Sequence, residues 1–140
     1  MHFAINDYQK YASQIRDAEI AEQLPRDLLA VALCQASEFQ PDKVFGKDLN
    51  PVGVIGIGKI TRHDCAWLWG GRDLRADPAA AIRGAARILR RHFSNLNCWR
   101  DSLVAYHSGI EFVTRHKRGL ARLPIDARRY LGEAVDLVLI

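Results

Sequence analysis

Apolar positions follow helical spacing along most of the chain and lose that spacing in one central stretch. In "NDYQKYASQIRDAEIAEQL" the residues Tyr8, Tyr11, Ile15, Ile20 and Leu24 recur close to the helical period, which predicts an amphipathic helix. Pro25 closes that helix and suits the first turn of the next. The next, "PRDLLAVALCQAS", is apolar on nearly every side and so belongs at the centre of the core. Helical patterning resumes at Thr61, a capping threonine ahead of "RHDCAWLW". Asp77 caps "PAAAIRGAARILRRHF", Pro78 takes its first position, and Ile82, Ala85, Ala86 and Leu89 form its buried stripe. "CWRDSLVAYHSG" stops at Gly109, and "LPIDARRYLGEAVDLVLI" ends the chain.

Between the helices, "EFQPDKVFGKDLNPVGVIGIGKI" carries two prolines and the four glycines Gly46, Gly53, Gly56 and Gly58 among scattered Val and Ile. This composition predicts an irregular loop with short strand-like pieces and room for a small hairpin. Glycines there permit tight turns or close backbone approach to a ligand. No repeat, low-complexity run or linker interrupts the pattern. The expected architecture is mainly α: one domain over residues 1–140 with a small glycine-rich β/loop insertion.

Composition changes this picture little. A chain of 140 residues can bury one sizeable core, and 49% hydrophobic with 26% charged residues is ordinary for a globular protein. The net charge of +4 and a pI near 9.2 favour anionic partners without choosing among nucleic acid, membrane surface and cell wall. The first residues are polar throughout, so no secretory signal is expected, and "LLAVALC" and "LVLI" are too short to span a bilayer. Cys34, Cys65 and Cys98 are odd in number and widely spaced. A full disulfide framework is excluded, a zinc site is poorly supported, and three reduced, mostly buried thiols are expected.

The candidate chemistry lies where the buried helix runs into the glycine-rich stretch, at "LCQASEFQP". Burial at such a junction raises the pKa of a carboxyl group, and a loop rich in backbone amides shapes a groove for a polymer of hydroxyls and amides, such as an aminosugar chain. The helix from Pro25 through Leu28, Leu29 and Ala32 to Gln35, Ala36, Ser37, Phe39 and Pro41 resembles the motif P-x-x-L-L-x-A-I-x-x-x-E-S, followed by an aromatic, Asn and Pro. That motif belongs to soluble lytic transglycosylases and goose-type lysozymes, glycoside hydrolase family 23. "NPVGVIGIGKI" resembles the family's S-P-x-G-A-x-G-L-M-Q-I loop, with Gly53 and Gly56 in register and Lys59 where Gln is usual. "AYHSG" resembles A-Y-N-A-G, with His107 in place of Asn. "DPAAAIRGAARILRRH" resembles D-P-x-x-N-I-x-x-G-x-x-Y-L, and "LPIDARRYL" resembles P-x-E-T-R-x-Y-V. The likeness runs over roughly residues 24 to 138, in order.

The resemblance implies a lysozyme-like fold and a muramidase that cleaves the β-1,4 bond between N-acetylmuramic acid and N-acetylglucosamine. It places the catalytic glutamate at Ala36. It also puts Ser37, Phe39, Gly56, Ile57, Lys59, Tyr106, His107 and Tyr130 against substrate. In the family the glutamic acid protonates the leaving oxygen and then acts as base while the C6 hydroxyl closes a 1,6-anhydro ring. No metal or other cofactor is implied. Goose-type relatives hydrolyse instead, with aspartates positioning water; Asp48 is the candidate here.

Other readings stand beside these. Alanine is a good helix former, Tyr106 and Tyr130 suit a core, and His107 and Lys59 suit a surface. "RHKRGLAR", Arg115 to Arg122, reads as a solvated charge run or a hold on anionic wall polymers. Glu38 lies about 200° around an ideal helix from position 36 and so should not point into the same site.

Three explanations fit Ala36: an engineered replacement of a glutamate, a naturally inactive binder, or Glu38 acting instead. The first is the expectation, giving an inactive variant that still binds glycan. The alternative is a naturally non-catalytic wall-binding or virion structural module. Expected partners are N-acetylmuramic acid/N-acetylglucosamine strands of peptidoglycan, with no nucleic acid, no transmembrane segment and a monomeric state. The expected setting is synthesis in the cytoplasm and delivery to the wall by a holin, phage tail or secretion system, in phage- or effector-borne lysis.

Overall fold

A computed structural model describes residues 5–37, 44–45, 54–55 and 60–117. Its elements run α1 (Ile5–Ala21), α2 (Leu28–Ser37), β1 (Val44–Phe45), β2 (Val54–Ile55), α3 (Arg62–Trp69), α4 (Pro78–Leu96), α5 (Trp99–Ser108) and α6 (Ile110–Lys117). The fold is mainly α. Inside the glycine-rich stretch β1 and β2 pair antiparallel, Val44 opposite Ile55 and Phe45 opposite Val54, so the hairpin read from the sequence is present.

The central helix is α2. Leu28 through Cys34 are all buried, and α1, α4 and α5 pack around them. A helix apolar on every side can be satisfied only by being enclosed in this way. From α4 the stripe Ile82, Ala85, Ala86 and Leu89 is fully buried, each at 0% exposure. Its small residues bring the neighbouring helices close. Gly84 goes furthest: a Cβ there would lie 2.9 Å from Cζ2 of Trp69 and 3.2 Å from Cδ1 of Leu68, so α3 and α4 meet on a bare backbone.

Caps act where the sequence puts them. The Thr61 hydroxyl accepts from the Asp64 amide, and the Asp77 carboxylate accepts from the Ala79 amide with Pro78 opening the helix. Asn97, at φ 53°, ends α4 in the left-handed conformation, and α5 stops at Gly109, at φ 94°.

Three expectations are corrected. Ile20 is 60% exposed, not on the buried row, because five residues beyond Ile15 is about 140° around a helix. The buried row of α1 is Tyr11, Ile15 and Ala18. Pro25 does not end α1. The helix stops at Ala21, and Gln23, at φ 55°, lets the Leu24 amide turn back to the Glu19 carbonyl at 2.8 Å. Nor does Pro25 open α2; it starts a turn in which the Leu28 amide donates to the Pro25 carbonyl at 3.2 Å.

A carboxylate secures the start of α2. Glu19 is 1% exposed; its Oε2 accepts from the Leu29 amide at 3.0 Å and its Oε1 from Arg16 at 3.3 Å. Burial raises its pKa above the ordinary 4.5, while backbone N–H groups of Asp27 and Leu29 and the Arg16 guanidinium oppose the rise. Negative charge at a helix N-terminus also suits the helix dipole.

Candidate active site

Ala36 occupies the last turn of α2, half-buried, one residue past the half-buried Gln35. Ser37 is buried, and its hydroxyl donates to the Leu33 carbonyl at 3.3 Å, within its own helix. Beside α2 packs α5, which carries Tyr106 and His107. Both are half-buried and both line a cleft of about 310 Å³. Phe39, Gly56, Ile57, Lys59 and Tyr130 lie outside the described residues, as do Glu38 and Asp48.

Three helices wall the cleft. From α3 and its cap come Asp64 and Thr61, from α4 come Ile88 and His92, and from α5 and its end come Ala105, Tyr106, His107 and Gly109. The α3 wall is fixed at the exit of the glycine-rich stretch. Buried Arg75 donates from Nη1 to the Ile60 carbonyl at 3.3 Å and forms a two-pronged contact with Asp73, at 2.9 Å from Nε and 2.8 Å from Nη2. Planar guanidinium geometry makes that clamp directional. The chain leaving Ile60 is thereby aimed into the Thr61 cap.

Asp64 is held on both oxygens. The Thr61 hydroxyl donates to Oδ2 at 3.0 Å, and the Trp67 indole N–H donates to Oδ1 at 3.1 Å. His92 lies on α4, one turn beyond Ile88, and its buried Nδ1 has no hydrogen-bond partner among the described residues. Burial lowers the His92 pKa below the ordinary 6.5; the Asp64 carboxylate opposes this and the Arg91 charge adds to it. Burial thus favours the neutral form of the imidazole. Chemically, the cleft gathers a carboxyl group, two histidines and a phenol from three walls, with Ile88 and Ala105 among its apolar lining. Such a surface suits hydrogen bonding to sugar hydroxyls and amides.

Sequence reasoning reached Tyr106 and His107 through the short "AYHSG" motif. It read Thr61 as a cap only, and it passed over Asp64 and His92. Asp64 sits at the capping-box position, three residues after Thr61, where an acidic residue has an ordinary role in helix initiation. His92 reads as a polar helix residue, and only the packing of α4 against α5 brings it to the cleft.

Cys34 and Cys65 are buried and Cys98 is half-buried, all three as free thiols. No cluster among the described residues has the composition to hold a metal ion. No helix among them is long and apolar enough to cross a membrane.

A buried central helix followed along the chain by a small β ladder, with a cleft formed by later helices, fits a mainly α, lysozyme-like fold. The chain belongs to the transglycosylase SLT domain family, whose description it matches over residues 13–127. The match takes in the second half of α1, begins before the stretch read from the motifs, and ends short of Tyr130. Members of this family are lytic transglycosylases, glycosidases that act on peptidoglycan. No curated protein and no solved structure matches the chain.

Proposed function

We propose that the chain is a peptidoglycan-binding member of its family in which position 36, the seat of the general acid, carries alanine. The observation supporting this reading is the place of Ala36. It lies in the last turn of α2, the helix on which the core is built, just before the glycine-rich stretch, and α2 packs against α5, the helix that carries Tyr106 and His107. In this reading Tyr106 and His107 orient the sugar, and Ser37 steadies the last turn through its bond to Leu33. Phe39, Gly56, Ile57, Lys59 and Tyr130 complete the groove.

A glutamate at position 36 would protonate the glycosidic oxygen and then take a proton from the C6 hydroxyl as the 1,6-anhydro ring closes. That route needs one carboxyl group, whereas two-carboxylate schemes need a partner at a defined separation. Without that group the chain holds glycan and cuts it slowly or not at all. We read Ala36 as a replacement of the acid, with phage- or effector-borne wall lysis as the setting. A native gene carrying a glutamate codon at this position, beside a holin or secretion genes, bears directly on that point.

The test compares the chain with Ala36→Glu on purified peptidoglycan, scoring wall binding and the mass of released fragments. Cleavage by Ala36→Glu alone, with fragments lighter by one water than hydrolysis products, is expected. Binding by both proteins and cleavage by neither would replace the enzyme reading with a non-catalytic wall-binding module.

A further inference from the structure

A second concavity is bounded by Trp67, whose indole N–H donates to Asp64 of the cleft. It has a volume of about 370 Å³ and is lined by Trp67 of α3 together with Arg87, Arg90, Arg91 and Ser94 of α4; Glu22 supplies its carboxylate. Three guanidiniums thus face one small space. None of the three forms an ion pair among the described residues. Arg83, exposed one turn before Arg87, extends the cationic row, and from Arg83 to Arg91 the helix rises about 12 Å.

Aromatic rings hold these cations in place. Arg91 lies 4.5 Å and Arg87 5.5 Å from the centroid of the Trp67 ring. Arg90 lies 5.4 Å from Phe93 and 5.7 Å from Trp99, and those two rings stack on each other at 3.9 Å. A guanidinium against an aromatic face is pre-oriented, so it loses little freedom on meeting an anion.

We propose that this pocket binds the phosphodiester groups of a polyol-phosphate polymer. Several guanidiniums along one helix face match a chain with a charge at each repeat, and the planar fork matches a phosphate's oxygens. Nucleic acid carries the same diester but also bases, which need open ring faces to stack on. Here Trp67 already carries two guanidiniums, and Phe93 and Trp99 cover each other, so a polymer without bases fits better.

The pocket is distinct from the cleft, and its occupation does not depend on glycan cutting. The two share a wall, because the Trp67 ring that carries Arg91 also donates its N–H to Asp64 in the cleft. A polymer held here would lie alongside whatever the cleft holds.

Isothermal titration of the full chain with a poly(glycerol phosphate) oligomer tests this, with a single-stranded DNA of equal charge and a neutral N-acetylglucosamine oligomer as comparators. Saturable binding to the polyol phosphate is expected, falling steeply between about 50 and about 200 mM salt. Arg91→Gln and Arg90→Gln should each weaken it roughly tenfold, the scale of one charged hydrogen bond, with the melting temperature unchanged. Ser94→Asp, at an exposed position, places a carboxylate in the pocket and should weaken binding to a similar degree should the arginine variants fold poorly. No saturable binding by the unchanged chain, unaltered affinity in folded variants, or tighter binding to DNA than to the polyol phosphate would overturn the proposal.

Discussion

The two ends of helix α2 make an instructive pair. At its start stands a carboxylate in the core: Glu19, buried, with its pKa raised by burial and the Leu29 amide on one oxygen. At its end, where the proposed reading puts the general acid, Ala36 presents a methyl group at a half-exposed position. A perturbed carboxyl group is therefore not evidence of catalysis in itself. Glu19 is enclosed by the helix it caps and serves folding. Position 36 is half-exposed, and in the proposed reading it is the seat of the general acid.

The largest effect that would sharpen this contrast is a gain of function. Ala36→Glu should raise the rate of soluble product release from peptidoglycan by about 10²–10⁴-fold, the scale of one general acid. A revertant no faster than the chain itself would break the contrast at its functional end. At the other end, Glu19→Ala strips the acceptor from the Leu29 amide and should lower stability by about 2 kcal/mol in urea unfolding, without weakening glycan binding by the folded fraction.

A smaller lesion tests whether the helix ends are special at all. Gly84→Ala gains about 1 kcal/mol in helix propensity but drives a methyl into the Trp69 ring, an overpacking that costs roughly 1–3 kcal/mol. A net loss near 1 kcal/mol is expected in the same assay, with cleft residues untouched.

The smallest effects are two slopes of opposite sign. Glu19 has its folded pKa raised above 4.5, so its contribution is present below that pH and is lost as pH rises through the folded value. His92 has its folded pKa lowered below 6.5, so its contribution is present above 6.5 and is lost as pH falls toward the folded value. Urea midpoints measured between about pH 4 and about pH 7 should show the first trend vanish in Glu19→Gln and the second vanish in His92→Gln. A variant that keeps its trend would remove that residue from the account.

Local rules carried far along this sequence. Asp77 with Pro78, the stripe of α4, the Thr61 cap and the Gly109 stop are all decided within a few residues, and the structure has each of them. The failures have a common cause in long-range or conformational detail. Glu19 is not singled out by the sequence, since nothing in α1 announces that the start of α2 will need an acceptor. Pro25 was the obvious boundary, yet Gln23 turned the chain first by taking a positive φ. Within the site, Tyr106 and His107 were legible from a short motif, while Asp64 and His92 became visible only once α3, α4 and α5 had met.

Trp67 ties these regions together in a way that light can report. Its N–H is held by Asp64 of the cleft, while Arg91 sits 4.5 Å from the centroid of its ring. An indole's emission responds to the fields of nearby charges, and here a carboxylate and a guanidinium of opposite sign both act on it. With Trp69 and Trp99 replaced by phenylalanine, a ligand that draws Arg91 away and one that disturbs Asp64 should move the emission of this single residue differently, giving one intrinsic probe for two neighbouring sites.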